Sequence, residues 1–163
     1  AFFVVDYNGG IIENYYEEYM GTKHYTIRLV IHSSITVIDW CACFFCLTLT
    51  EVVFHDNVTE IGEHAFAQCY NLQRIKFPEG LVRIEDKAFR KCESLRKIVI
   101  PASVQFIGNK VFQGCKSLRR VVFAPRMTRV KLGHGIFANC VNLQSVTLPQ
   151  NLQSIPRYCF FYC

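Results

Sequence analysis

The sequence has no run of apolar residues long enough to cross a lipid bilayer. Its longest nearly apolar stretch, residues 40–50, contains Thr48 and Thr50, whereas a membrane-spanning helix needs about 20 apolar residues. No basic stretch leads into an apolar segment with a small-residue cleavage site, and the chain begins at Ala1 and not at Met. These absences predict a processed or partial chain that has no transmembrane helix and no signal peptide.

Sequence motifs that carry chemistry are also missing. The sequence contains no nucleophile elbow, no glycine-rich phosphate loop, no HExxH and no EF-hand loop. We therefore predict that the protein is not an enzyme and that it needs no cofactor and no metal ion.

Charged residues are sparse, at 19% of the chain, whereas apolar residues make up 51% and aromatic residues 14%. A chain of 163 residues with 14 Phe has the length of one domain and enough apolar surface for a core, so we expect it to fold. The 18 Lys and Arg against 13 Asp and Glu give a formal net charge of +5. This basic excess favours acidic partners.

Several residue types recur along the chain with one shared spacing. Cysteines lie 23 residues apart, with a single interval of 25, and Leu, Val or Ile, and Phe recur with them. The columns are Cys46, Cys69, Cys92, Cys115, Cys140 and Cys163; Leu49, Leu72, Leu95, Leu118 and Leu143; Ile38, Ile61, Ile84, Ile107 and Ile155; and Phe66, Phe89, Phe112, Phe137 and Phe160. Such columns are the signature of a repeat protein. We place the two extra residues of the fifth unit between Val130 and Phe137, where glycines mark a loop.

A single unit is too small to bury its own apolar face. The segment Leu72 to Phe77 carries branched and aromatic residues and ends at Pro78, which predicts a short strand. The GEHAFAQC segment before it is too short for an independent helix. Stacked units would align their strands in a parallel sheet, about 4.8 Å apart, and would bury the apolar columns in a continuous core. The sequence therefore predicts a solenoid.

The repeated pattern IxxIxxxAFxxCxxLxxVxxP resembles the BspA-type leucine-rich repeat over residues 25–163. This resemblance implies an α/β repeat, a right-handed leucine-rich-repeat solenoid with a parallel concave sheet and short helical or irregular turns on the convex side. It also implies a non-catalytic role in protein binding or adhesion. The chain would then have a non-repeat N-terminal cap, residues 1–24, and a solenoid, residues 25–163, with a partial first strand, five units and a truncated last unit.

The first 24 residues do not follow the spacing. The sequence FFVV followed by Asn8, Gly9 and Gly10 fits a strand and a hairpin turn. Residues further along fall on one stripe of a helix, namely Ile11, Ile12, Tyr15, Tyr16 and Tyr19. We interpret the segment as a cap over the first repeat, with the alternative that its tyrosines anchor a partner.

Nine cysteines are many for this length, and six of them occupy one repeat column. We predict that they fill the core as small apolar residues. Each Cys in the column has two equivalent neighbours, so we predict mostly free thiols, which favour an intracellular or organellar setting. The bacterial members of the family are often surface proteins, so the cell surface stays open as the alternative. The predicted structural core residues are Phe66, Phe89, Phe112, Phe137, Cys69, Cys92, Cys115 and Cys140.

Two smaller features concern cysteine and histidine. Cys43 stands where the later units have the aromatic residue of Phe66, and with Cys46 it forms a CxxC motif. No second CxxC follows, so a zinc site is not expected. His32 and His55 share a column at the end of a strand, where we expect them to cap turns.

Basic residues stack on the predicted sheet. Residues 1–50 carry two Lys or Arg against five Asp or Glu, a net charge of −3, whereas residues 51–163 carry a net charge of +8. Cations of successive units share columns that point out of the sheet. The predicted partner-binding residues are Arg74, Lys76, Arg96, Lys97, Arg119 and Arg120. They suit an acidic protein surface, a phosphorylated segment or an anionic polymer, whereas nucleic acid is less favoured because interleaved aromatics are missing.

Three functions fit these features. The leading one is a non-catalytic protein–protein interaction module that binds an acidic partner on the concave basic sheet face. The first alternative is a structural subunit packed permanently in a larger assembly through apolar surfaces such as Phe44 and Phe45. The second is a thiol oxidoreductase that uses Cys43 and Cys46. A purely solvated basic face, which serves only solubility, is also open.

Overall fold

The chain forms a coil of parallel β-strands. The computed structural model describes residues 2–10 and 26–163. In this part of the chain the strands are β1 (Phe2–Tyr7), β2 (Thr26–Ile31), β3 (Val37–Ile38), β4 (Leu49–Val53), β5 (Glu60–Ile61), β6 (Arg74–Lys76), β7 (Arg83–Ile84), β8 (Lys97–Ile100), β9 (Phe106–Ile107), β10 (Arg120–Phe123), β11 (Lys131–Leu132) and β12 (Ser145–Thr147). Every strand pair is parallel. Each repeat is therefore one turn of the coil, which we call a rung.

Two sides of the coil are sheets. One side carries a four-stranded sheet, in the order β1, β2, β4, β6, and a three-stranded sheet, in the order β8, β10, β12. The two sheets adjoin where β6 contacts β8, and we call them together the major sheet. The two-residue strands β3, β5, β7, β9 and β11 form a five-stranded minor sheet. A parallel-sheet solenoid is thus confirmed.

The third side of the coil consists of turns. His64 and Gln68 have positive φ values of 58° and 62°. The equivalent residues of the other rungs are also left-handed, namely Cys41, Phe45, Lys87, Lys91, Lys110, Gly114, Gly135, Asn139, Tyr158 and Tyr162. A right-handed helix cannot continue through a left-handed residue. The α/β label and its helical turns are therefore not confirmed, since no residue in the described part of the chain lies in a helix.

Backbone hydrogen bonds join the rungs on this third side as well. The amides of Phe66 and Gln68 donate to carbonyls of the next rung, at 2.8 and 2.7 Å, whereas the intervening amide of Ala67 donates to the carbonyl of His64 at 3.0 Å. Alternate amides therefore donate to the next rung and to a carbonyl of their own turn. This arrangement satisfies the polar backbone without a helix.

A stack of phenylalanine rings fills the core. The ring centroids of Phe66, Phe89, Phe112, Phe137 and Phe160 lie 5.2 to 5.8 Å apart from rung to rung, with interplanar angles of 4° to 13°. The first four side chains are fully buried. Because each ring covers the next, the stack buries apolar surface that no single rung hides alone.

The cysteine column lies beside the phenylalanine stack and links the rungs. The thiols of Cys69, Cys92, Cys115 and Cys140 are buried, and each donates a hydrogen bond to a backbone carbonyl 26 or 28 residues earlier, with sulfur–oxygen distances of 3.1 to 3.4 Å. All nine cysteines are free. A thiol is small enough for the core and still supplies a weak donor.

The two extra residues of the fifth unit lie earlier than predicted. Lys131 pairs with Phe106 and Leu132 with Ile107, so the longer spacing is already present at β11. The amide of Met127 donates to Ala124 as the amide of Val104 donates to Pro101, which keeps Met127 on the spacing of 23. The insertion therefore falls between Met127 and Lys131, and the position between Val130 and Phe137 was wrong.

Glycines in this unit serve other needs. A Cβ atom on Gly133 would lie 2.5 Å from the backbone carbon of Gly108, and Gly135 has a φ of 62°. Gly133 is needed because the backbones approach closely there, and Gly135 because its turn is left-handed. Neither glycine marks a longer loop. Leu132 takes the place after Ile107 in the isoleucine column, and Ile155 on the last rung is 55% exposed.

The N-terminal strand continues the major sheet. β1 pairs in parallel with β2, from Phe2 opposite Thr26 to Tyr7 opposite Ile31. The hydroxyl of the buried Tyr7 donates to the carbonyl of Gly10 at 2.8 Å and lies 3.1 Å from the carboxylate of Asp39. The predicted helical stripe of residues 11–19 lies outside the described residues, and the cap assignment of residues 1–24 stays a prediction.

Candidate partner-binding face

Alternate residues of the major sheet form columns on its outer surface, because successive side chains of a strand point to opposite faces. Register pairs define a basic column and, two residues further along each strand, a valine column within each of the two sheets, and the spacing of 23 residues continues both columns from β6 to β8. The basic column consists of Arg28, Glu51, Arg74, Lys97, Arg120 and Ser145, and the valine column of Val30, Val53, Lys76, Val99, Val122 and Thr147. Arg96 and Arg119 lie just before β8 and β10.

All of the predicted partner-binding residues reach the solvent. Arg74, Lys76, Arg96, Lys97, Arg119 and Arg120 are exposed, and we call these six residues the basic face. They belong to three consecutive rungs of the major sheet. The register sets Lys97 beside Arg120, about 4.8 Å away on the next rung, and the exposed Arg96 and Arg119 directly precede them in the chain.

Glu51 divides the basic column. Its Oε2 atom lies 3.5 Å from Nε of Arg28 and 3.3 Å from Nη2 of Arg74. Among the described residues, no carboxylate lies within salt-bridge distance of the other five cations of the basic face. The unpaired positive charge is therefore centred on β8 and β10, and Arg74 marks its edge.

These cations repel one another. Two unit charges 5 Å apart in water repel by about 0.8 kcal/mol before salt screening, and Lys97 stands directly opposite Arg120 in the register. A bound anion removes this repulsion, and arginine also forms bidentate hydrogen bonds to carboxylate or phosphate groups. The face is therefore chemically suited to an acidic ligand.

The valine column is a part of this surface that sequence reasoning missed. Val99 is 47% exposed, and Val53 and Val122 are half-buried. Valines in a repeat protein resemble core residues, and for that reason they escaped notice. The signal was the alternation of β8, in which Lys97 and Val99 are exposed whereas Ile98 and Ile100 are buried.

The CxxC motif lies on the turn side of an early rung. A hydrogen bond from the buried thiol of Cys43 to Cys46 raises the pKa of Cys43 well above its ordinary value, with burial adding to the effect, and lowers the pKa of Cys46. A redox pair needs an accessible thiolate. Cys43 is buried and Cys46 is half-buried, so the solvent reaches only Cys46 of the pair, and that residue only partly.

Histidines at the strand ends hold turns. The amides of Ser34 and Asn57 each donate to Nδ1 of the histidine two residues earlier, His32 and His55, at 3.3 Å, which confirms the expected capping. Within residues 2–10 and 26–163, no group of three His, Cys, Asp or Glu residues is arranged to hold a metal ion. The same residues include no helix with the length and apolar character that a membrane crossing requires.

Comparison with known families identifies the repeat. The model of the BspA type leucine-rich repeat region matches residues 26–163 in six copies. A comparison with curated proteins finds no match.

Solved structures of bacterial leucine-rich repeat proteins share the fold. A leucine-rich repeat protein of T. pallidum is 33% identical, with 77% of this chain and 71% of that one covered and a TM-score of 0.65. One from Bacteroides ovatus is 33% identical, with coverage of 84% and 35% and a TM-score of 0.74. A leucine-rich cell surface protein from Faecalibacterium prausnitzii is 26% identical, with coverage of 75% and 38% and a TM-score of 0.57. The chain thus spans little more than a third of the latter two.

Proposed function

The chain belongs to the BspA-type leucine-rich repeat family, and we propose that it is a non-catalytic module that binds an acidic protein partner on the basic face. The family suggests a protein-interaction or surface-protein role. One observation carries the more specific proposal. Five cations without a carboxylate partner among the described residues lie on adjacent rungs of an exposed sheet.

The shape of the family supports this choice of surface. The family resemblance implies a right-handed coil with the major sheet on its concave side, where a bound segment would contact several rungs at once. Electrostatic complementarity mainly raises the association rate and the specificity. We therefore expect a reversible complex that weakens with salt.

The test is a pull-down from the source extract at low and high salt with three forms of the chain. The first form is unchanged. The second carries Lys97→Glu, Arg119→Glu and Arg120→Glu on the basic face. The third is a control with the same change in charge, made at exposed cations elsewhere, Lys110→Glu, Lys131→Glu and Arg157→Glu.

We expect partners that bind the unchanged and control forms at low salt. High salt should release these partners, and the basic-face variant should not retain them. Equal loss from the control variant would show attraction by net charge alone and would reject the basic face as the contact. Retention by the basic-face variant would reject it as well.

A permanent assembly subunit is the second candidate, because apolar surface is exposed on the turn side of an early rung. Trp40 is 61% exposed and Phe44 is 37% exposed. Salt screens charges but does not weaken apolar contacts of this kind. Partners that survive both high salt and the basic-face variant in the same pull-down support this candidate.

A further inference from the structure

We propose that the acidic partner presents an amphipathic α-helix that lies across the strands of the major sheet. Its carboxylates would lie over Lys97 and Arg120, and its apolar stripe over Val99 and Val122. This inference rests on the proposed function and specifies the ligand of the same face.

The first support is the pairing of charge and apolar surface. Lys97 and Val99 lie two residues apart on the same face of β8, and Arg120 and Val122 stand opposite them on β10. Residues two apart on a strand are about 6.6 Å apart. A cation pair therefore adjoins a valine pair, and a ligand that is only charged would leave the exposed surface of Val99 in water.

The second support is the spacing along the coil. A helix laid across the strands brings one side of each turn to the sheet every 5.4 Å, close to the rung spacing of about 4.8 Å. Over the three rungs of β6, β8 and β10 the mismatch grows to only about 1.2 Å, which Lys and Arg side chains can absorb. An extended segment on the same path places alternate side chains about 6.6 Å apart and falls out of register by almost 4 Å.

The third support is the limit of the face in both directions. On one side Glu51 on β4 pairs with Arg74 and presents a carboxylate of its own. On the other side the basic column continues as Ser145, and Arg119 is followed by Gln144. A ligand helix therefore has favourable contacts over two to three turns, about 7 to 11 residues. Acidic residues beyond that length on the β4 side lie near the carboxylate of Glu51, which repels them.

The test uses two labelled peptides of identical composition and about 18 residues. One places Glu and Leu on adjacent stripes of a helix, and its shuffled isomer has no stripes. Fluorescence anisotropy measures the Kd of each with the full chain and with three variants. Val99→Thr with Val122→Thr keeps β-branched residues in the strands. Val141→Thr is a control at an exposed valine away from the face. The third is the basic-face variant with Glu at positions 97, 119 and 120.

We expect the striped peptide to bind the unchanged chain at least about tenfold more tightly than its isomer. The Val99 and Val122 changes should remove that advantage without changing the Kd of the isomer, and Val141→Thr should have no effect. The basic-face variant should bind neither peptide.

Two results separate the two proposals. Equal affinity for the two isomers, or an advantage that survives the Val99 and Val122 changes, overturns the helix inference and leaves the proposed function intact. Failure of both peptides to bind, with or without binding of heparin as a sulfated polysaccharide, overturns the acidic protein ligand itself. Circular dichroism and thermal unfolding of each variant verify that it is folded.

Discussion

At the scale of single residues, the buried thiols do two things at once. Cys92 and Cys115 fill space beside the phenylalanine stack and donate Sγ–H to carbonyls of the preceding rung, at 3.2 and 3.4 Å. Burial raises the pKa of both thiols well above the ordinary value, because the thiolate would lose its solvation. The folded protein therefore needs these thiols in the protonated form.

This need predicts a decline of stability at alkaline pH. The thiols titrate near pH 9 in the unfolded chain and only at higher pH in the folded one. Their stabilising effect is complete below about pH 8 and is lost as the pH rises above 9, since the unfolded chain releases its protons first. Above pH 9 the free energy of unfolding falls by about 1.4 kcal/mol per pH unit for each thiol that is still protonated in the folded protein but already ionised in the unfolded chain.

Urea unfolding with a reductant at several values between pH 7 and pH 10 measures this slope. The double variant Cys92→Ala, Cys115→Ala serves as the comparison, and its slope above pH 9 should be shallower by up to about 2.7 kcal/mol per pH unit. The same slope in both proteins would show that these thiols do not titrate as buried groups.

At the scale of elements, spacing determines what a sequence can predict. The register of the major sheet follows from a period of 23, so the columns that contain Lys97 and Arg120 were predictable from the sequence. The turns were not, because their left-handed positions hold residues as different as His64, Gln68 and Lys91. Only scattered Gly and Asn residues at these positions carry the local signal for positive φ.

The exposed valines and the insertion escaped prediction for a related reason. Both depend on which residues face each other across rungs, and an apolar residue type does not by itself say which face it occupies. Val99 is exposed and Met127 is buried, although both are apolar. Alternation within β8 and the pairing of β11 with β9 provide the missing information.

The turn geometry predicts how one position responds to substitution. Gly114 has a φ of 75°, and Asn139 occupies the equivalent position one rung later with a φ of 60°. We expect Gly114→Asn to leave stability nearly unchanged, because Asn tolerates the left-handed region. Gly114→Val should lower the free energy of unfolding by about 1–2 kcal/mol or more, since a β-branched residue is strained there.

Urea unfolding of the two variants at neutral pH measures this difference. A Cβ atom at position 114 would approach Cγ of Lys91 to 3.2 Å in both variants, so the Asn variant controls for crowding. Equal stability of the Asn and Val variants would contradict the assignment of a left-handed turn at this position.

At the scale of the whole molecule, charge is distributed unevenly over a regular scaffold. The rungs share one backbone pattern, yet unpaired cations occupy the outer surface of the major sheet only from Lys76 on β6 to β10, among the residues described. Glu51 neutralises the neighbouring stretch. A uniform coil thereby gains one localised surface for an acidic partner.

Lysine footprinting with a model acidic polypeptide tests this central claim most directly. Lys76 and Lys97 report on the basic face, and the exposed Lys110 and Lys131, which lie on other sides of the coil, are internal controls. The chain is acetylated at low salt with and without poly-L-glutamate, and the modification of each lysine is measured by mass spectrometry. We predict that poly-L-glutamate protects Lys76 and Lys97 and leaves Lys110 and Lys131 reactive. Equal protection of all four lysines, or protection of the controls alone, would contradict a localised binding face.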